Sequence, residues 1–153
     1  MSKGTLQRFV QTLSTAALAF VLGACAGERP DNLGVRDGRL TPCPASPNCV
    51  TSMGGSDRQH IAPLTFTGDA TAALARLQAV LAARPDTKIL SAADDYLRVE
   101  FHTTLFVDDG EFLLDRAAGR IEVRSASRLG YSDLGKNRSR LEEIRGQFLA
   151  AGP

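Results

Sequence analysis

Two polar segments carry the side chains with which this chain could bind a ligand or catalyse a reaction. Residues 108–115 contain four acids, and residues 124–138 contain three arginines among hydroxyl and amide side chains. Guanidinium groups bind carboxylates and phosphates through paired hydrogen bonds, and hydroxyl and amide groups add neutral donors. We therefore predict that a small anionic or lipid-like, amphiphilic ligand binds at Arg124, Ser125, Ser127, Arg128, Tyr131, Asn137 and Arg138.

The acids Asp108, Asp109 and Glu111 support two other interpretations. Paired with the arginines across neighbouring strands, they would form an internal ion-pair network that fixes the loop at residues 129–136. Used for acid–base work or to bind a divalent cation, they would make the protein a hydrolase or transferase. Side chains alternate between the faces of a strand, so Asp108 and Asp109 would point in opposite directions and a metal would need further ligands. His102 could act as a base nearby, although a lone histidine on a polar strand face is more often solvated.

The sequence contains no G-x-S-x-G, H-E-x-x-H, phosphate-binding-loop or dinucleotide-binding motif, and it indicates no catalytic residue, cofactor or metal. The formal net charge of +1 gives no reason to expect nucleic acid as a partner. These observations favour a protein that binds a ligand or another protein over an enzyme. A purely structural adaptor without a pocket is the remaining class.

The N-terminus predicts where the protein is located. Two basic residues precede an apolar run at residues 16–22, and small residues follow as far as Cys25. This pattern is typical of a secretory signal, and Leu22-Gly23-Ala24-Cys25 resembles the lipobox at which bacterial lipoproteins are acylated and cleaved. Diacylglycerol and an amide-linked chain such as palmitate on Cys25 would provide the two lipid signals that stable anchoring requires. We expect an envelope protein anchored to a membrane and facing the periplasm, with Ala26 favouring the outer membrane; the alternative is an amphipathic N-terminal helix.

The domain organisation follows from this leader. We predict a signal peptide at residues 1–24, a tether rich in Gly, Pro, Asp, Asn and Arg at residues 25–41, and one globular domain at residues 42–153. The six-residue spacing of Cys43 and Cys49, the prolines between them and an oxidising compartment favour a structural disulfide. Free thiols, a redox pair or a metal site remain alternatives for these two cysteines.

Hydrophobic periodicity predicts an α+β domain with the element order β-α-β-β-β-β-α. Strands are expected at residues 61–66, 88–92, 96–102, 111–116 and 120–127. The first helix should begin after Asp69 as N-cap, and the last should begin at a capping box formed by Ser139 and Glu142. Both helices would cover one face of an antiparallel sheet of about five strands, an element order that resembles the TATA-binding-protein-like and helix-grip folds.

Strand alternation also assigns the polar residues near position 124 to opposite faces of the sheet. Ile121 and Val123 should face the core, and the same row continues into Ser125 and Ser127, while the arginines at positions 124 and 128 point the other way. The core row therefore becomes polar towards its end, which marks either the rim of the core or the floor of a site.

Three segments, at residues 42–49, 107–112 and 124–138, resemble the hallmark segments of the family called domain of unknown function 1499. The resemblance covers roughly residues 42–148. It implies a bacterial or plastid-associated domain that often follows a lipoprotein or membrane leader, and it implies no particular activity.

Overall fold

The structure, a computed structural model, describes residues 27–152. The predicted signal peptide and Cys25 lie outside these residues. A hairpin of β1 (Val35–Arg36) and β2 (Arg39–Leu40) comes first. The remaining elements are β3 (Cys49–Thr51), β4 (Leu64–Thr65), α1 (Ala70–Ala82), β5 (Thr87–Ala92), β6 (Tyr96–His102), β7 (Val107–Asp115), β8 (Arg120–Ser127) and α2 (Lys136–Ala150).

The main sheet is antiparallel and has the strand order β3-β8-β7-β6-β5, with β4 also paired to β8. Strands β3 and β4 occupy successive parts of the same edge of β8, because β3 pairs near Ser125 and β4 pairs near Ile121. Both helices contribute to the single apolar core on one sheet face. The predicted α+β class and the two helices on one face are confirmed.

The two helices begin for different reasons. In α1, the Asp69 carboxylate accepts a hydrogen bond from the Ala72 amide at 2.7 Å, as an N-cap should. The predicted start of α2 at Ser139 is wrong, because the helix begins one turn earlier, after Gly135 in a left-handed conformation. The Asp133 carboxylate accepts hydrogen bonds from the backbone amides of Gly135 and Asn137, so it satisfies the N-terminal amides in place of Ser139.

Strand β7 begins at Val107 rather than at the predicted position 111. The predicted strand left out Asp108-Asp109-Gly110, but all three residues lie in β7. Gly110 is needed for packing, because a Cβ atom there would lie 2.4 Å from Cε2 of Phe101 on β6. A glycine within a strand can mark such a close approach of a neighbour, and here it lets the phenyl ring lie against the β7 backbone.

The N-terminal segment that was expected to be a tether lies against the sheet. Leu40 is buried, and the Arg29 guanidinium contacts Glu100 on β6 at 2.9 Å. The Gly34 amide donates to the Glu111 carboxylate at 2.7 Å. Residues 27–41 therefore cover the sheet face opposite the helices, and the predicted boundary at residue 41 falls inside a structured region.

The structure confirms the disulfide between Cys43 and Cys49. This bridge closes the loop immediately before β3, a strand of three residues that the sequence pattern did not predict. No helix within residues 27–152 is both long and apolar enough to cross a lipid bilayer.

Candidate functional site

An ion-pair network occupies the sheet face opposite the helices. We use this term for Glu100, Asp109, Glu111, Arg124 and Arg128. Arg124 donates to Glu111 at 3.0 Å. Arg128 donates twice to Asp109, both times at 2.8 Å, and once to Glu100 at 2.6 Å. The predicted Arg124 in β8 and Arg128 just after it are therefore matched by acids from β7 and from β6, the next strand in the sheet.

These contacts shift the pKa values of Glu100 and Arg128 in the direction that favours their charged forms. Burial by itself would raise the pKa of Glu100, but hydrogen bonds from Arg128 and Arg29 outweigh it and lower that pKa to about 2. The hydrogen bond with Asp109 raises the pKa of Arg128 above its usual value, against the opposing effect of burial. Burial, together with the Glu111 carboxylate, raises the pKa of Tyr96. Glu100 and Arg128 therefore stay charged, and the Tyr96 hydroxyl remains a donor, across the physiological pH range.

The ion-pair network is closed to solvent. The side chains of Arg124 and Arg128 are 5% and 6% exposed, and that of Glu111 is 0% exposed. Glu111 accepts hydrogen bonds from Arg124, from the Tyr96 hydroxyl and from the Gly34 amide, so three of the roughly four acceptor positions of its carboxylate are occupied. These arginines thus make the contacts expected of an internal ion-pair network and present no open surface to an anion.

Ser125, Ser127 and Asn137 lie on the other face, at the polar end of the core. Asn137 is completely buried at the start of α2 and connects the helix to the sheet. Its amide group donates to the Ser127 hydroxyl at 3.0 Å and to the Asp133 carboxylate at 2.8 Å, and its carbonyl oxygen accepts from the Ser125 hydroxyl. The predicted facing of these serines away from Arg124 and Arg128 is confirmed.

Arg140 is a buried charge that the sequence-based prediction missed. Its guanidinium donates to Asp108 at 2.8 Å and lies 4.6 Å from the centre of the Phe101 ring. Neither Nε nor Nη2 has a hydrogen-bond partner among residues 27–152. The helical spacing of Leu141 and Ile144, extended back by one turn, places Asn137 and Arg140 on the buried face of α2. That periodicity could have identified Arg140 in place of Arg138.

A pocket of about 200 Å³ opens between the β6–β7 loop and the β8–α2 loop. We call it the loop pocket. Of the predicted site residues, Asp108 and Ser127 line it. The other lining residues belong mostly to the two loops and are Thr103, Phe106, Leu129, Gly130, Ser132, Asp133, Leu134 and Lys136. The loop pocket thus combines apolar walls with a polar floor.

The loop pocket is surrounded by exposed apolar side chains. Seven large apolar residues are exposed within the described part of the chain, and five of them lie in these two loops. Leu134 is 96% exposed and Tyr131 is 76% exposed. We call the five residues the apolar rim: Leu105, Phe106, Leu129, Tyr131 and Leu134.

Four larger hollows lie elsewhere on the surface of the described residues. One, of about 280 Å³, is lined by Arg76, Phe148 and Leu149, and Arg76 already donates to the Gly152 carbonyl. Another, of about 560 Å³, is lined by Arg84 and Asp86, which pair with each other at 3.0 Å.

The other two, of about 410 Å³ and 240 Å³, lie beside the N-terminal hairpin. The larger of them reaches Asp115 of the acidic segment, which lies 3.8 Å from Arg120. None of the four hollows is lined by a residue of the segment 124–138.

The remaining predicted residues do not converge. Arg138 is partly exposed and donates to the Arg58 carbonyl at 2.8 Å. His102 lies on the face opposite the helices, with Nε2 3.2 Å from Glu100. Asp108 faces α2 while Asp109 and Glu111 face the N-terminal segment, as alternation predicted. No group of three or more His, Cys, Asp or Glu side chains within residues 27–152 is placed to hold a metal ion.

Residues 39–148 match the model of a family described as protein of unknown function (DUF1499). The chain belongs to the DUF1499 family. The match includes the whole loop pocket and the ion-pair network, so both are parts of the DUF1499 domain, whereas the covering residues Arg29 and Gly34 precede it. A search of curated proteins found no match to this chain.

Proposed function

We propose that this protein is a lipid-anchored protein of the cell envelope whose DUF1499 domain binds part of a small amphiphilic molecule in the loop pocket. The observation that carries this proposal is the loop pocket itself, with a polar floor and apolar walls at one end of the sheet. Ligand sites in proteins commonly combine apolar walls with a few polar groups that fix orientation.

The size and charge of the loop pocket limit the ligand. Its volume of about 200 Å³ is below the roughly 300–1,000 Å³ of sites for drug-sized molecules, so it takes a head group or one arm of a larger molecule. The charge of Asp108 on the floor is balanced by Arg140, and Asp133 and Lys136 bring one charge of each sign. This balance favours a neutral or zwitterionic head group.

The ion-pair network provides no support for a free anion as the ligand, because Arg124 and Arg128 are paired with acids and covered. A hydrolase or transferase that uses the acidic segment is also less favoured. Asp108 is separated from Asp109 and Glu111 by the sheet, and each of the three carboxylates is paired with a different arginine.

A matched pair of serine substitutions tests ligand binding. Ser132 lines the loop pocket, and Ser139 is an exposed residue of α2 outside it. The full chain, extracted from membranes with mild detergent, is examined by native mass spectrometry for bound small molecules. We expect an added mass on the wild type and on Ser139→Phe, and its loss from Ser132→Phe because the phenyl ring fills the pocket. Equal occupancy in both variants, or no added mass on any form, would contradict the proposal.

The anchor is tested separately. Incorporation of labelled fatty acid should be lost in Cys25→Ser, because the thiol is the predicted acceptor. A Cys25→Ser protein that still incorporates the label would rule out this anchor.

A further inference from the structure

Gly27 packs against the apolar rim. A Cβ atom on this residue would lie 2.9 Å from Cγ of Leu129 and 2.8 Å from Cβ of Arg128, so its backbone touches the β8–α2 loop. Only two residue steps separate Gly27 from Cys25, and two steps span at most about 7 Å whatever their conformation. A lipid on Cys25 would therefore leave the domain beside the rim.

We propose that the apolar rim is a membrane-docking face that places the mouth of the loop pocket on the lipid surface. This inference rests on the proposed lipid anchor. The described residues hold two other exposed large apolar side chains, Val35 and Leu149, and both lie outside the two rim loops. The exposed apolar side chains are thus concentrated at the end of the sheet where the lipid would emerge.

The chemistry of the rim fits a lipid surface. Leucine and phenylalanine side chains enter the boundary between head groups and acyl chains, and tyrosine is favoured at that level because its ring is apolar and its hydroxyl is polar. The charges next to the rim, Asp133 and Lys136, are opposite in sign. Docking is therefore driven by apolar burial, and we expect it to depend weakly on salt. A ligand would enter the loop pocket from the bilayer.

The chain contains no tryptophan, so one introduced tryptophan is a unique reporter. Leu105 in the rim and Leu149 near the end of α2 are 61% and 60% exposed, which makes them a matched pair. The 15 residues of α2 separate the two ends of the domain by about 22 Å. Full-length, acylated Leu105→Trp and Leu149→Trp are reconstituted into phosphatidylcholine vesicles with and without bromine on the acyl chains. Leu134→Trp is a second rim reporter.

We expect brominated lipid to quench most of the tryptophan emission of Leu105→Trp and Leu134→Trp and to leave the emission of Leu149→Trp unchanged. The same result is expected at low and at high salt. Equal quenching at both ends, or no quenching of the rim reporters in protein that floats with the vesicles, overturns the docking face. A blue shift of the rim reporters without quenching places the rim against protein and also overturns it. If the protein carries no acyl chain and does not float with the vesicles, the proposed lipid anchor is wrong, and the docking face that rests on it is wrong as well.

Discussion

Replacing Arg128 by methionine should destabilise the fold severely, because this arginine neutralises two buried acids. Its guanidinium donates twice to Asp109 at 2.8 Å and once to Glu100 at 2.6 Å. The side chain of Asp109 is 1% exposed, and Arg128 is its cationic partner in the network. Removing one member of a buried ion pair costs about 3–5 kcal/mol, since the remaining charge is left without compensation. That loss is a large part of the roughly 5–15 kcal/mol that stabilises a typical domain.

Urea unfolding at neutral pH measures this loss, and the matched control is Arg138→Met. Arg138 contacts one carbonyl from a partly exposed position, so its replacement should cost less than about 1 kcal/mol. The double variant Arg128→Met with Asp109→Asn should recover part of the stability, because the uncompensated carboxylate is gone. If Arg128→Met costs no more than Arg138→Met, Arg128 is not part of the scaffold, and the reasoning that removes it from the ligand site fails.

Three further predictions test other parts of the structure. The pKa of Glu100 is lowered from 4.5 to about 2, so the stability that its charged form contributes is complete above about pH 5 and is lost as the pH falls towards 2. In the wild type, the free energy of unfolding measured with urea should therefore fall between pH 5 and pH 2, and Glu100→Gln should remove up to about 3 kcal/mol of that fall. An unchanged pH profile would show that the pKa of this carboxyl is not perturbed. Gly110→Ala should lower stability by about 1–3 kcal/mol in thermal unfolding because its methyl group meets Phe101, and a neutral result would refute the packing role. Replacing both Cys43 and Cys49 by serine should lower the free energy of unfolding by about 2 kcal/mol. Adding a reductant to the wild type should cause the same loss, and a wild type that is equally stable with and without reductant would contradict this prediction.

Alternation and helical periodicity predicted the parts of the fold that depend on local sequence. The row from Ile121 to Ser127 was assigned to the correct face because β8 is regular along its whole length. Asp69 was assigned correctly as a cap because its role depends on three neighbouring positions. Two missed features are also local, namely the start of α2 after Gly135 and the buried position of Arg140 on that helix. The other features that were missed depend on partners that are distant in sequence.

Gly110 has the sequence context of a turn, and only the Phe101 ring from β6 explains its place in a strand. Arg124 and Arg128 have the composition of an anion site, and their acids lie 13 and 19 residues away on the neighbouring strand. Leu40 lies in a segment without hydrophobic periodicity, so its burial against the sheet could not be inferred locally. Predicting the loop pocket would have required knowing that both loops lie at the same end of the sheet. Strand alternation could place only Ser127 and Asp108 at the floor of this pocket.

The stretch from Gly27 to Leu40 runs along the folded domain, and this limits how far an acylated form could travel. If Cys25 carries the proposed lipid, only two residue steps join that lipid to Gly27, so the protein could not shuttle cargo across the gap between two membranes while remaining attached. An acylated form would then act on molecules that already reside in, or diffuse along, the leaflet to which it is anchored. A carrier that hands such molecules to a distant acceptor would have to be a separate protein that comes to this surface.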